Sequence, residues 1–279
     1  MNGARSDQGA DQRARAKPLA LISFDVEEFD LPNEYGARVP LNEQLRVGAS
    51  GWERTLDLLD DVNVRATLFI TATIATAHPE LLLRSAQKHE VASHGWSHSK
   101  FEPQDLPKSR EVLQKLSGQD VTGFRMARLA KVDQSLIAAA GYTYNSGENP
   151  TWIPGRYNNF FRPRHAHIEE TGRGELVQIP TAVTPLIRWP LFWLSFKNVP
   201  LAATTIATRW CLTSDRVAAL YFHPWELCDL APYRLPRLVA GLNGQPYVDR
   251  MRAYFTWLAA RAECTTYADY AQLVRQSRS

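Results

Sequence analysis

Three cysteines, at positions 211, 228 and 264, are all that the sequence contains, with no CxxC pair and one necessarily left over from any disulfide. A disulfide framework is not expected, and the pattern suits a reducing compartment. No run of eighteen apolar residues occurs, so no spanning helix is expected. A GxSxG elbow is missing, which disfavours a serine hydrolase of that kind. Internal repeats and low-complexity tracts are absent as well. Excess charge of either sign is small: 32 Lys and Arg stand against 29 Asp and Glu, a formal net charge of +3. The basic residues are scattered among acidic ones, leaving no electrostatic footprint for a nucleic-acid partner.

What is present is an ordinary globular composition. With 279 residues, 44% hydrophobic and 22% charged, the chain is long enough for one large α/β domain. Residues 1–18 are polar and lack the apolar stretch of a secretory signal; they read as a disordered tail ahead of one catalytic domain over 19–279. Together with the cysteine pattern this predicts a cytoplasmic protein.

LALISFDV (19–26) is a nearly continuous apolar run ending in acids, as expected of a buried parallel strand that delivers a site. Ser50 can cap a helix to about Asp61, followed by a strand at 65–71, and Pro79 opens a helix to about Lys88. Strands then follow at EVASHG, VTGFRMA and YTYNS, with helices near 108–116 and 134–140 between them. Later come strands at 176–181 and 217–224 and a helix near 247–262. Regular βα alternation argues for a parallel sheet, open or closed into a barrel, with its site at the C-terminal strand ends. Asp25, Glu27, His94, His98, Arg125 and His223 each fall at or just after such an end.

His94 and His98 in SHGWSH are four residues apart, so two imidazoles can converge on one cation if the segment makes a helical turn. Asp25 and Glu27 lie on one face of a strand. Two buried carboxylates side by side repel, and a cation beside them resolves the conflict. His223 sits in FHPWE, at the mouth of an apolar strand that Pro224 ends.

The set SFDVEE, SHGWSH, GFR and YFHPWE, in that order, resembles the polysaccharide deacetylase pattern, also termed NodB homology or carbohydrate esterase family 4, over roughly residues 19–275. The resemblance implies a distorted (β/α) barrel, commonly with seven strands, and a single divalent ion, zinc being the first candidate. It implies Asp25 as catalytic base, Glu27, His94 and His98 as metal ligands, His223 as catalytic acid and Arg125 as the arginine that holds the base. Whether Glu27 or Glu28 is the ligand depends on strand register. An ion with three protein ligands keeps an open position for activating water against an amide carbonyl. This chain departs from the pattern in reading FRMARLAK where the family commonly has Ala and Pro after the Arg. It also carries Asn145 where the family often has an aspartate that tunes the catalytic histidine; Glu226 or Asp229 could take that role.

The loop 150–164 combines aromatics, Asn amides and arginines that can stack on sugar faces and grip anions. Trp152, Arg156, Tyr157, Asn158 and, beside His223, Trp225 are the candidate substrate contacts. Residues 182–201 gather aromatics next to Arg188 and Lys197, as a buried barrel helix or a membrane-interface patch would. The second alternative predicts peripheral membrane contact through 186–197. The expected reaction is hydrolysis of an N-acyl amide on an amino sugar, with a lipid-linked or nucleotide-linked glycan as a candidate. The alternatives are a non-sugar amidase, acting on a ureide or cyclic imide, and an inactive glycan- or lipid-binding module.

Overall fold

The computed structural model describes residues 17–154 and 157–278. In chain order its strands are β1 Leu19–Val26, β2 Thr67–Ile70, β3 Glu90–Ser93, β4 Gly123–Phe124, β5 Tyr144–Asn145, β6 Trp152–Ile153, β7 Tyr157–Asn158, β8 His167–Thr171, β9 Gly174–Gln178, β10 Val217–Phe222 and β11 Glu263–Thr265. The path β10, β1, β2, β3, β4, β5, β9 is parallel throughout. These seven strands curl into a half-barrel, a more open form of the distorted barrel expected. β8 adds as an antiparallel hairpin partner of β9, and β11 continues the β2 edge of β1 at Leu19–Leu21.

Closure between β9 and β10 is irregular. Ala182 N–H donates to Ala219 O at 2.7 Å, Phe192 bridges to Tyr221, and Arg164 pairs with Asp215. The two-residue strand period sorts the side chains. Leu21, Phe69, Ala92, Tyr144, Val177 and Ala219 fill the interior, plugged by Tyr267 of helix Tyr267–Gln276. A larger core lies outside, between the strands and the surrounding helices.

The first long helix runs Leu41–Asp61, ten residues earlier than a Ser50 cap implies. Ser50 lies mid-helix; Pro40 precedes the helix in extended backbone. Gly48 and Gly51, poor helix formers on the sequence scale, fall on its buried face with Val47, Trp52 and Leu56. Segment 182–201 is partly buried and partly exposed. Leu191, Phe192, Trp193 and Phe196 are core, the last two on helix Trp193–Asn198, whereas Leu186, Ile187 and Trp189 are 82%, 67% and 45% exposed. Among the described residues, no helix is long and apolar enough to cross a membrane.

Candidate metal centre

Leu21, Ser23 and Asp25 climb the inner face of β1, and the chain then delivers Glu27 at the rim. Glu27 Oε2 lies 3.1 Å from His94 Nε2 and 3.1 Å from His98 Nε2. All three residues are buried, and their ligand atoms lie within 4.8 Å of one another. Glu28 points elsewhere: its Oε2 accepts from Thr71 Oγ1 at 2.6 Å, and burial raises its carboxyl above the usual range despite that bond. His94 and His98 are joined by an irregular bend instead of a helical turn, and their rings stack at 6.0 Å.

The far nitrogens are equally committed. His94 Nδ1 donates to Arg125 O at 2.8 Å, and His98 Nδ1 to Asp30 Oδ1 at 2.6 Å. Each imidazole thus has an acceptor on both nitrogens. Either both stacked rings carry a proton on each nitrogen and a full charge, or one cation takes the place of the two Nε2 protons against Glu27. One divalent ion satisfies the donor set without two buried imidazolium ions 6.0 Å apart, and two His with one carboxylate is a zinc-type set. The residues present fit the group. Burial opposes ionisation of Glu27, but His98, His223 and His94 outweigh it and hold the carboxyl well below its usual range. Burial likewise opposes charge on His98, and Glu27 and Asp30 outweigh it, raising the imidazole.

Asp25 lies one step below. Its Oδ1 accepts from Arg125 Nη1 at 2.5 Å, and Arg125, fully buried, also donates to Ser23 Oγ, to Ser146 O and Oγ, and to Tyr267 OH. The guanidinium lies over Phe69 at 4.0 Å. His223, at the end of β10, places Nε2 3.9 Å from Glu27 Oε1, stacks on Trp225 at 4.8 Å and meets Trp193 edge-on at 5.2 Å. Asp25, Glu27, His98, Tyr221, His223 and Trp225 all border one cleft.

Several residues here have no motif to announce them. Asp30 binds His98 and is itself held by Arg128 Nη2 at 3.0 Å, while Arg128 Nη1 reaches His98 O at 2.7 Å. Arg128 and Leu129 sit in left-handed backbone, φ 57° and 50°, within the FRMARLAK run. The cluster of acids after SFDV was the only hint of Asp30. Trp225 is 2% exposed and donates Nε1–H to Glu27 Oε1 at 3.0 Å, so it braces a carboxylate as well as bordering the cleft. Trp152 is 59% exposed and Asn158 exposed, on the β6–β7 hairpin. Arg156 and the side chain of Tyr157 lie outside the described residues.

Asn145 does not face His223. Its Nδ2 donates to Gln134 Oε1 and Gln178 Oε1, both at 3.1 Å. Glu226 is the carboxylate beside His223, with Oε2 accepting the His223 backbone N–H at 3.1 Å and 3.8 Å from Nδ1. Asp229 instead accepts from Ala231 N.

Residues 43–145 match the family model described as Polysaccharide deacetylase. Over that segment the chain is similar to polysaccharide deacetylases. That segment carries His94, His98 and Arg125; Asp25, Glu27 and His223 lie outside it and meet it only in the fold. Solved structures of similar fold include a putative polysaccharide deacetylase from Mycobacterium smegmatis, at TM-score 0.65 and 21% identity over 94% of this chain and 92% of that one. A probable polysaccharide deacetylase from Pseudomonas aeruginosa PAO1 matches at TM-score 0.62 and 16% identity, over 92% and 90%. Puue allantoinase matches at TM-score 0.59 and 16% identity, also over 92% and 90%. No curated protein matches the sequence. The likenesses establish the polysaccharide deacetylase fold.

Proposed function

We propose that the chain is a metal-dependent N-deacylase that removes an acyl group, acetyl first among candidates, from an amino sugar. The observation that carries this reading is the buried Glu27, His94 and His98 set with an acceptor behind each imidazole, flanked by Asp25 and His223 in one cleft. Glu27, His94 and His98 would hold the ion, for which zinc is the natural candidate. When bound, a divalent ion supplies Lewis-acid polarisation of a carbonyl and lowers the pKa of water from 15.7 toward about 7.

The chain's own groups do the rest. Arg125 fixes Asp25 through Oδ1, so the carboxylate is oriented at the cleft to accept a proton from attacking water. His223, across the cleft and walled by Trp225 and Trp193, donates a proton to the departing nitrogen, which otherwise leaves poorly as an amide anion. Trp225 and Asp30 keep Glu27 and His98 in place.

A lipid-linked or nucleotide-linked amino sugar is the finer substrate reading. It is supported by an apolar groove that includes Trp152, Ile187, Trp189, Phe192 and Leu238, five of its wall residues. Phe192 touches Tyr221 of the cleft at 5.8 Å, so groove and cleft adjoin. The exposed tip at Leu186, Ile187 and Trp189 is the part of 186–197 that remains available for peripheral membrane contact.

The test is elemental analysis of the protein and of a His94→Ala, His98→Ala variant, with acetate release from an N-acetylglucosamine oligosaccharide. About one metal per chain, lost in the variant together with activity, is the expected result. Absence of metal in both after dialysis against Zn²⁺ would overturn the reading. Flotation with anionic liposomes that leaves the protein wholly in solution would remove the membrane contact while leaving the hydrolase reading intact.

A further inference from the structure

The loop that follows β4 backs both histidines of the candidate centre. His94 Nδ1 donates to the carbonyl of Arg125, and three residues further on Arg128 holds the Asp30 carboxylate that accepts from His98 Nδ1. Each nitrogen of Arg128 goes to a different place. Nη2 donates to Asp30 Oδ2 at 3.0 Å, Nη1 to His98 O at 2.7 Å, and Nε to Glu34 Oε1 at 2.6 Å on the short helix Leu31–Tyr35. One guanidinium thus ties together the chain that delivers Glu27, the bend that delivers His98, and its own loop. Among the described residues, Asp30 Oδ2 has no other hydrogen bond.

The backbone beneath this fork is strained. Arg128 and Leu129 stand at φ 57° and 50°, the one adjacent pair of left-handed non-glycine residues among those described. A Cβ disfavours that conformation, and it persists only where the surrounding structure enforces it. Turn hydrogen bonds from Leu129 N to Met126 O at 3.0 Å and from Ala130 N to Ala127 O at 3.1 Å close the loop, and the fork pins it from outside. Both residues border the metal cleft, where the Arg128 side chain is 38% exposed. An arginine that merely solvated its charge at the surface would need neither three fixed bonds nor a disfavoured backbone.

We propose that Arg128 is a positioning residue for the ion of the Glu27, His94 and His98 set: its fork locks Asp30 and the His98 carbonyl at one spacing and thereby aims His98 Nε2 at the site. The proposal rests on the metal-centre reading given above. Arginine is required because its five N–H groups form a rigid planar fork, whereas a lysine ammonium is a single point on a flexible stem. One nitrogen cannot hold Asp30, His98 O and Glu34 together. Groups one step behind a metal ligand contribute about 10–100-fold to metal affinity.

Zinc affinity of the full chain, read by competition against a chromophoric chelator, tests this in the wild type, Arg128→Gly and Arg128→Lys. Glycine takes φ 57° without a Cβ clash, so Arg128→Gly removes the fork while relieving the backbone. It is expected to weaken zinc by about tenfold or more, with the urea midpoint of the zinc-free protein held near that of the wild type. Arg128→Lys is expected to bind zinc as weakly as Arg128→Gly. In ¹⁵N-histidine spectra of the zinc-loaded proteins, the His98 Nδ1–H resonance should move in Arg128→Gly while that of His94, on Arg125 O, stays. Wild-type affinity in Arg128→Gly, full recovery by lysine, or a zinc loss matched by a fall in the zinc-free midpoint would each overturn the proposal. Equal displacement of both imidazole resonances would do the same, because the loop would then have moved as a whole. Should Arg128→Gly fail to fold, the lysine variant decides alone. A wild type that binds no zinc removes the metal-centre reading and this proposal with it, whereas zinc bound equally by all three proteins removes this proposal only.

Discussion

His98 Nδ1 and Asp30 Oδ1 lie 2.6 Å apart, both residues buried, with Arg128 closing on the other oxygen of Asp30 at 3.0 Å. A carboxylate behind an imidazole fixes the tautomer and raises the basicity of the nitrogen that faces the ion. Asp30→Ala is therefore expected to weaken zinc binding by about 10–100-fold while leaving the ligand set intact. Competition against a chromophoric chelator measures this. Unchanged affinity would mean that Asp30 only fills space.

Lys197 Nζ and Glu226 Oε1 form an ion pair of 2.9 Å with both side chains fully buried. Lys197 also donates to Val239 O at 3.0 Å, and Glu226 Oε2 accepts from Tyr247 OH at 3.0 Å and from the His223 backbone. Burial opposes ionisation of Glu226, yet Lys197 and His223 outweigh it and lower the carboxyl. Lys197→Met should cost about 3–5 kcal/mol, because it strands a buried charge. Adding Glu226→Gln to that variant should restore a large part of the loss. Urea denaturation of both single variants and the double completes the cycle, and strict additivity would show that the pair does not act as a unit.

These two residues also mark the limit of what can be read from the chain alone. The placement of Asp25, His94, Arg125 and His223 at the C-terminal strand ends was legible because polar residues follow apolar strand runs there and the motifs come in order. The barrel was legible from the same alternation. Lys197 reads as the cationic flank of an interfacial patch, and only packing shows its ammonium turned inward onto Glu226. Asn145 occupies a strand position whose face depends on a one-residue register, and the register turns it toward Gln134. Asp30 lies in a non-regular turn, where no periodicity constrains direction. Ser50 has the chemistry of a cap, but tertiary packing of Gly48 and Gly51 carried the helix back past it.

His89, 4% exposed at the start of β3, predicts a specific pH dependence. Burial pushes its imidazole down to about 4, only partly offset by Asp60. In the unfolded chain the group titrates near 6.5. Protonation thus favours unfolding: the neutral imidazole's contribution is complete above pH 6.5 and is lost as pH falls toward 4. Between pH 7 and 4.5 this amounts to about 2–3 kcal/mol. His89→Gln, whose Oε1 can still accept the Ala66 N–H, should flatten the urea-stability profile by that amount. Parallel profiles for variant and wild type would refute the assignment.

Gly48 and Gly51 seat helix Leu41–Asp61 directly against the Glu27 loop and the Pro224–Trp225 turn of the candidate site. A Cβ on Gly48 would lie 2.4 Å from Glu27 O, and one on Gly51 would lie 2.3 Å from Pro224 O and 2.8 Å from Trp225 N. The obstacles are backbone atoms, which cannot swing aside as a side chain can. Three residues apart and rising about 1.5 Å each, the two glycines let one rigid helix set the spacing between the Glu27 loop and the His223 turn. In an exposed helix, Gly→Ala stabilises by about 0.8–1 kcal/mol. Here the sign should reverse, with Gly51→Ala costing about 1–3 kcal/mol through overpacking. Activity should fall further than stability explains, because displacement of the Pro224–Trp225 turn moves His223 and the Trp225 hydrogen bond to Glu27 together. Urea midpoints and acetate release, compared with Glu53→Ala on the exposed face of the same helix, separate the effects. A Gly51→Ala protein as stable and active as that control would show that the helix does not position the site.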